Sequence, residues 1–178
     1  MTNSLSNIMH KTFNEQNEKR GETSLRSVWT NPIHFITCGF GVGTLPFMPG
    51  TYGTLLAIPF YLILVKFSLI TYLAVTILLN VAGIWLCHKT NKDFSTGDHP
   101  ATVWDEIAAF FIVMILVPPT WYYILAGFLL FRFFDIFKLG PIKWIDNNVH
   151  GGFGVMLDDI VAAIVCCLIL HGIMWLAI

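Results

Sequence analysis

The sequence predicts an all-α fold: a polytopic membrane bundle of about four to five apolar helices, preceded by a polar N-terminal arm. Apolar residues make up 56% of the 178 residues, charged residues only 12%, and the mean hydropathy is +0.69. Soluble domains usually carry about 25% charged residues, so most of this surface is expected to face lipid. We expect residues 1–30 to form a disordered arm and residues 31–178 a single membrane domain.

Four apolar runs locate the helices, at 53–65, 67–87, 107–134 and 160–178. About 20 helical residues cross the hydrocarbon core of a bilayer, so the second run is long enough and the first is short. Just before and within the first run, residues 37–54 contain five glycines and two prolines, which argues against a regular helix through this segment. These glycines are compatible with a phosphate-binding loop or with an irregular entry into the first helix.

The run 107–134 is interrupted by Pro118 and Pro119. Proline has no backbone N–H and breaks a helix when it lies in the interior. We therefore expect two shorter helices, at 107–117 and 121–137, which form a hairpin.

Lysine and arginine placement supports this hairpin. The N-terminal arm carries four such residues, the segments 88–104 and 138–158 carry two each, and Lys66 lies on the other side. Cytoplasmic loops are enriched in Lys and Arg. The arm and both segments are therefore predicted to lie on the cytosolic face, whereas a single helix through the proline pair would send the last segment to the opposite face.

Several classes of site are excluded by composition. None of the four cysteines forms a Cys-x-x-Cys pair, which argues against a zinc site or a disulfide framework. The formal net charge of −1 gives no basic field, so nucleic acid is not an expected partner. The polar N-terminus has no apolar stretch typical of a cleaved secretory signal.

A polar stretch between the last two apolar runs carries the candidate chemistry. Its groups are Asp135, Lys138, Lys143, Asp146, His150, Gly151, Gly152, Asp158 and Asp159. The hairpin would place them on the same face as Asp105 and Glu106. Carboxylates are ligands for Mg²⁺, and lysines with backbone N–H groups bind phosphate. Because polar groups beside a membrane are costly, the stretch is predicted to be a functional site.

Each feature of this stretch also has a simpler structural explanation. The acidic pairs at 105–106 and 158–159 could lie in the first turns of helices, where the helix dipole favours negative charge. Asp135 could pair with Arg132, three residues earlier on the same helical face. Neither explanation accounts for both acidic pairs and Asp135 converging on one face, so metal binding is the favoured interpretation.

Four long motifs carry a family resemblance, in the order GFGVGTLPFMPGTYGTL (39–55), VWDE (103–106), FRFFDIFKLGPI (131–142) and WIDNNVHGGFGVMLDDIVA (144–162). With these motifs the sequence resembles the phosphatidylglycerophosphatase A family over about residues 33–178. The resemblance implies a Mg²⁺-dependent enzyme of the bacterial inner membrane, with its active site facing the cytoplasm. It also implies a phospholipid substrate, phosphatidylglycerol phosphate, from which the terminal phosphate is removed.

This chain departs from the family pattern at a few positions. Leu139 stands where the family usually has a proline after the lysine, Thr54 where a serine is usual, and Ala109 where a glycine is usual. None of these changes removes a carboxylate or a basic group. The oligomeric state and the number of metal ions are left open.

Roles can be assigned to the polar groups on this basis. The candidate metal ligands are Asp105, Glu106, Asp135, Asp158 and Asp159. The candidate phosphate-binding groups are Arg132, Lys138, Lys143, Gly151 and Gly152. The candidate catalytic residues are Asp135, Lys138, His150 as general acid, and Asp159. Direct attack by water and an aspartyl-phosphate intermediate both remain open.

Adjacent residues of a helix point about 100° apart, so Asp158 and Asp159 are not expected to serve one ion equally. We expect Asp159 to be the essential carboxylate and Asp158 to be the N-cap of the last helix.

Two rival functions fit the sequence less well. A CDP-alcohol phosphotransferase would need a DGxxAR core and a GxxxDxxxD tail, and neither occurs. A small membrane transporter would place its charges near the bilayer midplane, whereas here the acids lie at the ends of apolar runs.

Overall fold

The computed structural model describes residues 25–176, and within this range all regular structure is helical. The prediction of an all-α fold is therefore confirmed. We label the helices α1 (Pro32–Thr37), α2 (Pro49–Leu64), α3 (Leu69–Asp93), α4 (Trp104–Val113), α5 (Trp121–Phe137), α6 (Pro141–Asn148) and α7 (Gly151–Leu176), with a 3₁₀ turn at Val42–Thr44.

Helix α4 forms the centre of the bundle. Seven of its ten residues are buried, and it contacts α2, α3, α5 and α7. Polar side chains of the surrounding helices donate to carbonyl groups near its end: Tyr72 Oη to Phe111 O at 2.6 Å and Tyr61 Oη to Val117 O at 3.0 Å. Phe111 lies in the last turn of α4, where carbonyls have no partner within the helix, and Val117 lies in the segment that follows. Tyrosines of α2 and α3 thus satisfy both carbonyls.

The proline pair produces the expected break. Helix α4 ends at Val113 and α5 begins at Trp121, so the two helices form a hairpin around Pro118 and Pro119. As a result α2, α4 and α7 run in one direction and α3 and α5 in the other. The first turns of α2 and α4, the C-terminal end of α5 and the N-terminal part of α7 line a common cavity at one end of the bundle, together with the segment that joins α3 to α4.

Two helices begin earlier or extend further than the apolar runs indicated. Helix α3 continues to Asp93, which leaves residues 94–103 as the connection to α4. Helix α7 begins at Gly151, nine residues before the start of the apolar run. The expectation that Asp158 is an N-cap is therefore wrong, because it lies inside the helix, two turns after the start.

Close packing explains why a glycine-rich segment is helical here. A Cβ atom at Gly152 would overlap the carbonyl oxygen of Ile84 and lie 2.5 Å from the backbone nitrogen of His88. The missing side chain lets α7 approach the backbone of α3 directly. Burial against α3 thus outweighs the low intrinsic helix propensity of glycine.

The segment 37–54 is also partly helical. Helix α2 begins at Pro49, a residue favoured at the first position of a helix, so Gly50 and Gly53 lie inside it. The glycines before this helix occupy tight turns instead: Gly39 and Gly41 have φ angles of +58° and +92°.

Two helices within residues 25–176, α3 and α7, are long and apolar enough to cross a membrane. Large apolar side chains on the outer face of α3 are exposed, among them Ile77 (63%), Leu78 (65%) and Trp85 (59%). Most of the expected N-terminal arm, residues 1–24, lies outside the described residues. Its last part does not: Val28 is fully buried beside Cys38 and Phe94.

Candidate active site

A cavity of about 410 Å³ opens at the end of the bundle where α2, α4 and α7 begin and α5 ends. Its wall carries six carboxyl groups and two permanent cations. These are Asp98, Asp105, Glu106, Asp135, Asp158 and Asp159 with Arg132 and Lys138. The structure thus brings together residues from four separate segments of the sequence, including all five candidate metal ligands.

Asp105, Glu106 and Asp159 form the tightest group of carboxylates. Each offers an oxygen, and these oxygens lie within 4.8 Å of one another. Asp105 and Asp159 are only 6% and 3% exposed. Buried like charges this close are unfavourable unless a cation compensates them. We call these three residues the carboxylate trio.

The trio fits a hard divalent cation. Asp105 Oδ1 and Glu106 Oε2 are buried and have no hydrogen-bond partner in the described part of the chain. Buried oxygens without partners are costly in a folded protein. Carboxylate oxygens are the donors that Mg²⁺ prefers, and such sites use one or two carboxylates with water and substrate phosphate. The residues present therefore suit Mg²⁺.

Arg132 and Asp135 lie one turn apart on α5, beside the trio. Arg132 Nη1 is 2.7 Å from Asp135 Oδ2 and 3.7 Å from Glu106 Oε1. Both side chains of the first pair are mostly buried, at 12% and 14% exposed. The buried Nε of Arg132 has no hydrogen-bond partner among the described residues. The guanidinium thus keeps donor capacity inside the cavity, as phosphate binding requires.

Lys138 occupies the other side of the cavity, at the C-terminal cap of α5. Its Nζ lies 2.6 Å from Asp146 Oδ1 and 2.5 Å from Asp158 Oδ2. Burial acts to lower the pKa of Lys138, but the hydrogen bonds to the two carboxylates raise it above its ordinary value. Asp158 is therefore paired with an ammonium group, whereas its neighbour Asp159 belongs to the trio.

Gly50 brings the start of α2 against the trio. A Cβ atom at this position would overlap Glu106 Oε1 and lie 3.1 Å from Arg132 Nη1. Only glycine leaves room for both side chains at this point. The role of Gly50 was missed in the sequence, because the motif shows a glycine but not the carboxylate that approaches it.

The histidine of this cavity is His99 and not His150. The backbone N–H of Ala101 donates to His99 Nδ1 at 3.1 Å, which places the proton of a neutral ring on Nε2. Burial lowers the pKa of His99 and so favours the neutral form. No role was assigned to Asp98 or His99 from the sequence.

His150 lies in a neighbouring cavity of about 240 Å³. Gly151 and Asp146 also line this second cavity, which shares Asp98 and Asp158 with the first. His150 is therefore adjacent to the carboxylates but separated from the trio.

Two of the expected phosphate-binding residues lie away from both cavities. Lys143 is exposed on α6 and lines neither cavity, and Gly152 lies at the contact between α7 and α3.

The cysteines take no part in this site. All four are free, and none lines either cavity. Burial raises the pKa of Cys38 to about 12, which leaves the thiol protonated and unreactive near neutral pH.

Comparison with known proteins identifies one family. Residues 35–174 match the family described as phosphatidylglycerophosphatase A. The chain is 43% identical over 145 residues to the phosphatidylglycerophosphatase A of Escherichia coli K12, which covers 81% of this chain and 84% of that relative. It is 41% identical over 147 residues to the protein of the same name from Haemophilus influenzae, covering 82% and 90%.

A third relative carries a different name. The putative phosphatidylinositol-3-phosphatase of Bacteroides thetaiotaomicron is 39% identical over 150 residues, covering 79% of this chain and 92% of the relative. No solved structure matches the chain.

Proposed function

The chain belongs to the phosphatidylglycerophosphatase A family, and we propose that it is a Mg²⁺-dependent enzyme that hydrolyses phosphatidylglycerol phosphate to phosphatidylglycerol and inorganic phosphate. Family membership makes it a phosphatase. The observation that carries the metal dependence is the carboxylate trio, with its buried oxygens that have no partner.

We propose that Asp105, Glu106 and Asp159 hold the metal, with Asp135 at the edge of the site. When bound, Mg²⁺ would supply Lewis-acid neutralisation of the charge on the phosphate oxygens. Asp158 is a weaker candidate ligand than its neighbour, because its carboxylate is already paired with Lys138.

Arg132 is proposed to bind the phosphate group of the substrate. Its guanidinium is a planar fork that can donate two parallel hydrogen bonds to phosphate oxygens. The ion pair with Asp135 fixes its position, and burial at 12% exposure strengthens its field inside the cavity.

Asp135 is the proposed catalytic carboxylate. It can accept a proton from an attacking water molecule, or attack phosphorus itself and form an aspartyl phosphate as the ester oxygen leaves. Acid quenching during turnover of substrate labelled with ³²P in its terminal phosphate separates these routes, because only the second leaves ³²P covalently attached to the protein, as an acyl phosphate that hydroxylamine cleaves. His150 remains the proposed general acid, and its position in the neighbouring cavity requires the leaving oxygen to lie where the two cavities meet.

We propose that the bundle spans the bacterial inner membrane in four to five passes, with the cavity at the cytoplasmic face. Helices α3 and α7 have the required length, and the exposed apolar side chains of α3 suit contact with lipid. Helix α2 (16 residues) and α5 (17 residues) are near the lower limit for a span. Helix α4 rises only about 15 Å, at 1.5 Å per residue, and would penetrate part of the bilayer.

Phosphate release from the purified full-length chain in detergent tests the proposed reaction. We expect release from short-chain phosphatidylglycerol phosphate with Mg²⁺ and none in excess EDTA. Full turnover in EDTA without added metal would contradict the metal dependence. Phosphatidylinositol 3-phosphate serves as a second substrate because of the name of the third relative, and preferential turnover of this lipid would favour that activity instead.

Cysteine labelling tests the orientation. In a cysteine-free background, single cysteines at Thr96 and Asn147 sit at exposed positions near the cavity end. A membrane-impermeant reagent should label both from the cytoplasmic side. Labelling of the two positions from opposite sides would rule out the hairpin topology across a membrane.

A further inference from the structure

Lys138 combines an unusual backbone conformation with two ion pairs. Its backbone lies in the left-handed region, with φ 42° and ψ 58°. Non-glycine residues adopt this conformation at an energetic cost, and they keep it where the surrounding structure compensates. Here the compensation comes from two carboxylates on separate helices, Asp146 on α6 and Asp158 on α7.

Two groups of acids around the cavity differ in their partners. Among the described residues, no basic nitrogen lies within 4 Å of the Asp105 or Asp159 carboxylate, and Arg132 Nη1 lies 3.7 Å from Glu106 Oε1. Asp146 and Asp158 share the ammonium of Lys138 at 2.6 and 2.5 Å. Asp158 and Asp159 are adjacent on α7 but belong to different groups, because adjacent residues of a helix point about 100° apart.

The ammonium leaves no room for a metal ion beside Asp146 and Asp158. Mg²⁺ binds carboxylate oxygens at about 2.0–2.1 Å and needs near-octahedral space for its waters. The Lys138 Nζ atom already occupies the point between the two carboxylates.

We infer that Lys138 is a built-in cation that takes the place of a second divalent ion, so that this phosphatase site binds a single Mg²⁺ at the carboxylate trio. Lys138 then acts as a positioning residue: it neutralises Asp158, turns it away from the trio, and holds the end of α6 and the first turns of α7 against the cavity. The inference rests on the proposed metal dependence but not on the identity of the lipid substrate.

Counting bound Mn²⁺ tests this inference. The purified full chain in detergent is equilibrated with Mn²⁺, and bound ion is measured by equilibrium dialysis and electron paramagnetic resonance. We expect one ion per wild-type chain and none in Asp159→Asn. Two spin-coupled ions in the wild type, or one ion retained by Asp159→Asn, would overturn the inference. The number of bound ions and the release of phosphate are measured separately. The inference can therefore fail while the proposed function holds, and the reverse.

Substitutions of Lys138 give the second arm. Lys138→Met removes the charge at similar length and should allow a second, weaker ion between Asp146 and Asp158. Lys138→Arg keeps the charge and should still bind one ion. Adding Asp146→Asn to Lys138→Met should return the count to one. A monodisperse Lys138→Met variant that still binds one ion would refute the inference. If Lys138→Met does not fold, the numbers of Mn²⁺ ions bound by the wild type and by Asp159→Asn still test the inference.

Discussion

Replacing Asp159 by Asn should stabilise the metal-free protein while removing its response to Mg²⁺. The Asp159 carboxylate is 3% exposed and lies within 4.8 Å of two other carboxylates, those of Asp105 and Glu106. Two ionised groups at this separation repel by about 3 kcal/mol at an effective dielectric constant of ~20. Partial protonation of the trio reduces this repulsion, and we expect relief of about 2–3 kcal/mol in total. For a chain of this size, the melting temperature should then rise by roughly 5 °C or more.

The neighbouring substitution should act in the opposite direction. Asp158→Asn removes a carboxylate that is 2.5 Å from Lys138 Nζ and 8% exposed. Breaking a buried ion pair costs about 3–5 kcal/mol. Lys138 is 28% exposed and keeps Asp146 as a partner, so we expect a loss of only about 1–2 kcal/mol here. The metal-free melting temperature should fall by roughly 3–6 °C.

Thermal unfolding in detergent, with EDTA and again with Mg²⁺, measures both effects. Wild type and Asp158→Asn should gain stability from Mg²⁺, whereas Asp159→Asn should gain none and should lose phosphate release by at least about 100-fold. The reasoning is refuted if Asp159→Asn keeps its Mg²⁺-dependent shift and its turnover. If only Asp158→Asn loses the Mg²⁺-dependent shift and the turnover, the metal binds Asp158 and not Asp159.

Three further outcomes follow from the same geometry. Gly50→Ala should reduce phosphate release at least about tenfold, because its Cβ overlaps Glu106 Oε1, whereas Gly172→Ala, with nothing within 4 Å, should leave release unchanged and add up to about 1 kcal/mol of stability. Because the folded-state pKa of Lys138 lies above its ordinary value of 10.5, its stabilisation is complete below that pH and is lost as pH rises through the folded-state pKa. The melting temperatures of wild type and Lys138→Met should thus differ by a constant amount from about pH 7 to 10 and converge at higher pH; convergence already at pH 8 would contradict this. Replacing all four cysteines by alanine should preserve most phosphate release, since none lines the cavity; loss of turnover in a well-folded variant would show otherwise.

The helical architecture was predictable because its signals are local. Apolar runs and a proline pair depend on residues close together in the chain, and the hairpin around Pro118 and Pro119 appears as expected. The starts of helices were less predictable. Gly151 begins α7 only because Gly152 packs against the backbone of α3, a contact between residues far apart in sequence.

The chemistry of the site was predictable at the level of residue types. All five acids proposed as metal ligands line one cavity, and so do Arg132 and Lys138. Their pairings were not predictable. Nothing in the spacing of Lys138 and Asp158 shows that they meet, because that contact depends on the short helix α6, which packs on α7 and joins it to α5.

Glycine was the residue most easily misread. The segment 37–54 was compatible with a phosphate-binding loop or an irregular entry into a helix, and Gly152 was a candidate phosphate-binding residue. In the structure both Gly50 and Gly152 lie in helices, and each allows a close approach that a side chain would block. A glycine in a motif indicates that something comes near its backbone, and only the fold shows whether the neighbour is a ligand, a carboxylate or another helix.

The packing of α7 on α3 connects the start of this helix with the pairing of the acids in the site. Because α7 is already helical from Gly151, the rotation of every later residue about its axis is fixed by the contact at Gly152. That rotation directs Asp159 towards Asp105 and Glu106, and Asp158 towards Lys138. Had the helix begun at Ile160, both acids would have lain in a flexible segment and could have turned towards one ion. The early start of the helix thus separates two adjacent, chemically identical residues into a candidate metal ligand and the partner of a fixed cation.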